Sequence, residues 1–127
     1  MSHVVSQRPT DRSPVLDHER YQVYQGALEF HGAAMSRVPR RGFRHIRDPL
    51  ERSSLGSVLC IAEGAGRTSA KDKRRFYAMA RGSATESAAV IDILLVRGVA
   101  SAQDCQQARA LAIRLVQMLS RLSRPSR

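Results

Sequence analysis

Apolar side chains recur at three- and four-residue steps along four stretches of this chain, the spacing that gathers them on one face of a helix. The first stripe is Leu16, Val23, Tyr24, Ala27, Leu28, His31, Ala34 and Met35, which Pro39 and Gly42 bring to an end. The second is Leu50, Ser54, Ser57, Val58, Ile61 and Ala62. Asp48-Pro49 opens it with a capping acceptor and a fixed φ at the first helical position, and Gly64 and Gly66 close it. The third, Phe76, Ala80, Ser83, Ser87, Ile91 and Leu94, follows the capping-box-like Ser69-x-x-Asp72 and runs to Gly98. Ser101-x-x-Asp104 repeats that start signal ahead of Ala108, Leu111, Ala112, Leu115, Met118, Leu119 and Leu122. The spacing predicts helices over about 15–37, 49–65, 70–97 and 102–122, within a folded part of residues 14–122. Residues 1–13 and 123–127, polar and proline-containing, read as flexible tails.

Only Ser57 to Ala62 offers a strand alternative, since an apolar run before Gly64-Ala65-Gly66 imitates the strand and loop of a phosphate-binding fold. A parallel sheet needs several such units, and no other is present. The fold class is therefore all-α. Four helices with short links pack most simply as an antiparallel up-down four-helix bundle. The second and third helices are expected to turn small residues inward (Ser54, Ser57, Ala62, Ala80, Gly82, Ser83, Ala84, Ser87 and Ala88), which lets axes approach but lowers the apolar area each helix buries. A chain of 127 residues hides only roughly two-thirds of its unfolded surface, so a core of small side chains favours an added subunit interface.

The charge balance narrows the partners. Lysine and arginine number 21 against 11 acidic residues, a formal charge of +10 that attracts anions such as nucleic acid, acidic headgroups or an acidic protein. The cations concentrate on either side of the glycine turn. Arg37, Arg40, Arg41, Arg44, Arg47 and Arg52 give residues 37–52 a net +4, and Arg67, Lys71, Lys73, Arg74, Arg75 and Arg81 give residues 67–81 a net +5. Residues 37–47 read as a basic loop. Repeated in associated copies of the chain, these clusters would form a belt able to track a phosphate backbone of RNA or DNA. Trp is absent and the other aromatics are scattered, so backbone contact is expected over base readout. Tyr77, beside Arg74 and Arg75, is the aromatic placed to stack on a base, whereas Phe76 reads as core.

Other chemistry finds little support. Glu63 and Arg67 stand four apart in the order that favours a helical ion pair, and Glu86 follows Arg81-Gly82-Ser83 on an expected interhelical face, so both carboxylates read as structural. His3, His18, His31 and His45 lie on different segments with no metal-binding spacing, and no metal or cofactor is expected. His31 is placed in the core or an interface, and His45 in the basic loop. Cys60 and Cys105 read as reduced packing residues. No secretory signal or membrane span is recognisable, which points to a cytoplasmic protein with no membrane partner.

Two segments carry a family likeness. Ser57-Val58-x-x-Ile61-Ala62-Glu63-Gly64-x-Gly66-Arg67, with Lys71-Asp72-Lys73-Arg74-Arg75-Phe76-Tyr77-x-x-Ala80-Arg81-Gly82-Ser83-Ala84-x-Glu86, resembles the four-helix-bundle proteins related to the 23S rRNA intervening-sequence proteins and to the accessory variability proteins of retroelements. The resemblance implies a non-enzymatic bundle assembled as a ring-like homo-oligomer, a homopentamer. It also implies basic surfaces that engage nucleic acid and, in the retroelement branch, a reverse transcriptase. Glu63, Gly64, Gly66, Gly82, Ser83 and Glu86 are then expected to be structural or interface residues. Cys60 stands where the family commonly has Asn, so no role of that amide is carried over. The alternative to nucleic-acid binding is a ring that acts as a scaffold or adaptor for an acidic protein partner.

Overall fold

Each predicted stripe becomes the buried face of one helix in the computed structural model, which describes residues 15–125, with side chains from Tyr21 onward. The helices are α1 (Val15–Met35), α2 (Arg44–Ala65), α3 (Ala70–Val96) and α4 (Ala102–Leu122). The described residues contain no strand. The expected tail at 1–13, the last two residues and the side chains of Leu16 and His18 lie outside the described part.

The two serine signals act as the sequence indicates. Ser69 Oγ accepts from the Asp72 amide at 3.0 Å and Ser101 Oγ from the Asp104 amide at 3.1 Å, each satisfying a first-turn donor that would otherwise lack a partner. At the far end of α3, Gly98 takes φ +68°, and the amides of Gly98 and Val99 return to the carbonyls of Leu95 and Leu94. This is the Schellman closure, in which a residue with a Cβ would be strained.

The start of α2 departs from the expectation at Asp48-Pro49. The helix begins five residues earlier, at Arg44, so Pro49 lies inside it and only residues 36–43 form the link. The proline forfeits one bond, to the carbonyl of His45. The added turn in return buries Ile46 against the core, and the Ile46 and Arg47 amides close onto the Phe43 carbonyl.

Cross-helix contacts fix an antiparallel up-down bundle. His31 meets Ser54 between α1 and α2, Ser53 meets Ser87 between α2 and α3, Arg81 meets Ser120 between α3 and α4, and Arg37 meets Gln107 at the α1/α4 seam. Along the α2/α3 seam Ser53 faces Ser87 while Gly64, further along α2, faces Phe76 and Tyr77, so the two helices run in opposite directions. Phe30, Leu50, Ile61, Ile91, Leu94, Leu115 and Leu119 fill the centre, each worth roughly 1.5–3 kcal/mol of burial. Ala27, Ala34, Ala80, Ala84, Ala108 and Ala112 are fully buried between them and let the axes close in.

The α2/α3 seam is unusually polar for a core. Ser53, Ser54, Ser57 and Ser87 are buried, and each hydroxyl has a partner: Ser53 and Ser87 share a 2.7 Å bond, Ser57 donates to the Ser54 carbonyl, and Ser54 meets His31 Nδ1 at 2.7 Å. Two small residues expected inside are not there. Gly82 is exposed because it falls on the side of α3 away from the buried stripe, and Ala62 because it lies at the outer edge of the stripe on α2. No described helix is long and apolar enough to cross a membrane.

Candidate functional site

The up-down topology decides where the cations go. The α1–α2 link and the α3–α4 link share one end of the bundle, since Arg97 Nη1 donates to His45 Nε2 at 2.9 Å and Arg37 reaches the first turn of α4. The α2–α3 turn lies at the other end, a full α2 away, or about 33 Å for 22 residues. The two basic concentrations are therefore basic ends, and they do not merge into one belt along a subunit.

At the first end most arginines serve the fold. Arg37 donates to the carbonyls of Ala33 and Asp104, to Ser36 Oγ and to Gln107 Oε1, which makes it a tie between α1 and α4. Arg47 donates to the Val38 carbonyl at 3.0 Å and so closes the link on itself. Arg44 pairs with Asp48 one turn along α2, both well exposed. Arg44, His45 and Arg47 are thus helical, contrary to the basic loop expected there. Arg40 and Arg41 stand exposed in the link with no ion pair to another described residue.

The second end is built around a ring. Phe76 has the guanidinium of Arg67 at 4.6 Å and that of Arg75 at 4.7 Å from its centroid, two cation–π contacts on one half-buried aromatic. Arg67 also pairs with Glu63 across one turn, as its spacing indicates. Lys73 Nζ donates to the Ala65 carbonyl, one of the last acceptors of α2. Lys71 and Arg74 remain without an ion pair to another described residue.

Here the reading of the two aromatics inverts. Tyr77, expected to stack on a ligand, is buried at 2% exposure, and Phe76, expected in the core, is the accessible ring. The cause lies across the seam at Gly64. A Cβ built there would lie 3.0 Å from both Phe76 Cβ and Tyr77 Cε1, so the missing side chain is the space that Tyr77 occupies.

The remaining expected residues separate. Arg81 lies midway along the bundle and donates to Ser120 Oγ at 2.8 Å, away from either end. Arg52 is exposed on the outer side of α2. Gly66 caps α2 with an ordinary φ of −85°, its amide returning to the Ala62 and Glu63 carbonyls. Ser83 packs on Gly56 within the α2/α3 seam. Gly82 and Glu86 face outward, not into a seam of this chain, and a Cβ at Gly82 would meet nothing within 4 Å. Since Ser53 lies opposite Ser87 and Gly64 opposite Phe76, Glu63 and Glu86 are offset by about nine residues, roughly 14 Å of axis. That is too far for the two carboxylates to act on one bond.

Both thiols are held as the neutral form. Burial, then the charge of Glu63, pushes the Cys60 pKa up; burial, then Asp104 and Asp92, does the same at Cys105 against an opposing pull from Arg37. No group of three or more potential metal ligands exists among the described residues. The contacts that escaped the sequence reading include the Arg97–His45 pair and the Arg109–Asp92 bridge from α4 to α3. Neither has a local spacing signal, because each joins separate helices.

The arrangement defines an all-α, arginine-rich four-helix bundle with cations gathered at both ends. Over residues 19–121 it matches the 23S rRNA-intervening sequence protein family, and the chain belongs to that family. The likeness seen in two motifs thus extends through nearly the whole bundle. A search of curated proteins gives no match.

Proposed function

We propose that this is a cytoplasmic, non-enzymatic bundle that associates with copies of itself and binds the phosphate backbone of nucleic acid through its basic ends. The observation that carries the reading is the division of labour among the cations. Arg37, Arg47 and Lys73 are committed to backbone or amide acceptors, whereas Arg40, Arg41, Lys71 and Arg74 have no ionic partner among the described residues. The exposed guanidinium forks of Arg40 and Arg41 suit phosphate oxygens, with the Lys71 ammonium and the half-buried Arg74 adding charge at the other end. Scarce aromatics disfavour reading bases, so binding is expected to ignore sequence.

Self-association has its own support. Arg75, Met79, Gly82, Glu86, Ala89, Ile93 and Val96 repeat at alternating steps of four and three along α3, and every one is exposed. That is the seam spacing of helices packed on other helices, here with no partner among the described residues. Leu55 and Leu59 add exposed apolar area on α2, Leu59 being 58% accessible.

Fluorescence anisotropy with a labelled duplex tests the first part. Log K should fall linearly with log salt, at a slope near −4 if about four phosphates are held. Binding that ignores salt, or none at low salt, would overturn it. Light scattering tests the second: the protein should run as a multiple of 14.1 kDa, and Met79→Arg with Ile93→Arg should return it to a monomer.

A further inference from the structure

We infer that the protein joins two separate segments of nucleic acid, one at each end of the bundle; this rests on the phosphate-binding reading above. The geometry supplies the reason. Among the cations without an ion pair to another described residue, Arg40 and Arg41 cluster in the α1–α2 link and Lys71 and Arg74 in the first turns of α3, separated by the length of α2, about 33 Å, with Arg52 alone on α2 between them. The two ends point in opposite directions along the axis.

One straight duplex lying along the flank could in principle span such a distance, since a duplex repeats its groove every 34–36 Å or so. The flank argues against it. Between the ends, Arg52 is offset by its neighbour Glu51, Arg81 is engaged by Ser120, Asp92 is paired with Arg109, and Leu55 and Leu59 are exposed. Balanced charge gives phosphate no net attraction, and apolar side chains offer it no hydrogen bond. A polyanion therefore finds favourable ground at each end and little attraction between, which separates the contacts into two sites, each taking its own strand or duplex.

The experiment uses two differently labelled 20-base-pair duplexes, one immobilised and one free, with the full chain added at 50 mM salt. The protein should recruit the free duplex to the surface. Arg40→Glu with Arg41→Glu should still bind the immobilised duplex but recruit the free one about tenfold less, and Lys71→Glu with Arg74→Glu should do the same. Far-UV circular dichroism confirms that each variant keeps its helices, and the corresponding alanine pairs should move recruitment in the same direction.

The outcomes are distinct. If the unaltered chain binds the immobilised duplex without recruiting the second, the two-ended inference fails and phosphate binding stands. If either variant recruits as well as the parent, or one variant loses all binding, a single kind of end does the work and the inference fails. Absence of any binding at low salt removes the phosphate reading itself.

Discussion

Arg37, just past the end of α1, donates to the side-chain oxygen of Gln107 on α4 at 3.0 Å, and its Nε reaches the Asp104 carbonyl. A residue that composition assigns to an anion-binding surface is thereby a clasp across the α1/α4 seam. Arg37→Ala should lower stability by about 1 kcal/mol, since several part-exposed hydrogen bonds go at once. In a domain of this size that is about 4 °C in Tm. Arg40→Ala and Arg41→Ala should stay within about 0.5 kcal/mol of the parent. For the nucleic-acid affinity proposed above the order should reverse, with Arg40 and Arg41 mattering more. Urea titration and anisotropy on the same three variants measure both.

Gly64 and Gly32 both lie inside helices and should respond oppositely to alanine. At Gly64 the added methyl would press on Phe76 Cβ and the Tyr77 ring, both at 3.0 Å, so the α2/α3 seam has to open. A cost of about 1–3 kcal/mol follows from overpacking. At Gly32 nothing lies within 4 Å, and the gain is the backbone entropy that glycine loses on folding, about 0.5–1 kcal/mol. Denaturant midpoints of the two variants should lie on opposite sides of the parent's.

The buried Ser53–Ser87 pair is suited to a double-mutant cycle. Ser87 Oγ also meets the Ser83 carbonyl at 3.0 Å, while Ser53 has only a longer, 3.4 Å contact to the Leu50 carbonyl. Ser87→Ala therefore leaves the Ser53 hydroxyl buried and poorly satisfied, at about 1–3 kcal/mol. Replacing both serines should cost less than the sum of the single changes. Strict additivity in the unfolding free energies would show that the 2.7 Å contact carries no coupling.

These cases mark what a sequence can disclose. The starts of α3 and α4 were legible because a serine hydroxyl and an amide three residues on settle them locally. The start of α2 was not, because Ile46 is drawn into the helix by a core assembled from other segments. Phe76 and Tyr77 lie about 100° apart on the helix, and which one turns inward depends on the gap at Gly64, on a different helix. The basic clusters were visible, and their charges were counted correctly. Their separation by a helix length needed the topology, and the sorting of committed from free arginines needed contacts such as Arg37 to Gln107.

The thiols provide a test that varies pH. Burial and the neighbouring Glu63 raise the pKa of Cys60 above the ordinary value of 9.0, so at any pH below that less thiolate is present than in free cysteine. Alkylation by iodoacetamide, which consumes thiolate, should be slow at pH 8 and keep accelerating beyond pH 9. Glu63→Gln removes one of the two causes and should speed labelling at pH 8, while Cys105, fully inside, stays slower than Cys60. The same shift has a sign in stability. A thiol that holds its proton longer in the folded state contributes fully below pH 9.0, and the contribution is lost as pH rises from there through the folded-state value. Unfolding midpoints should therefore be flat near neutrality and fall in alkali, and Cys60→Ser should flatten that fall. A Cys60 that labels at the rate of free cysteine at pH 8 would mean that α2 does not cover it.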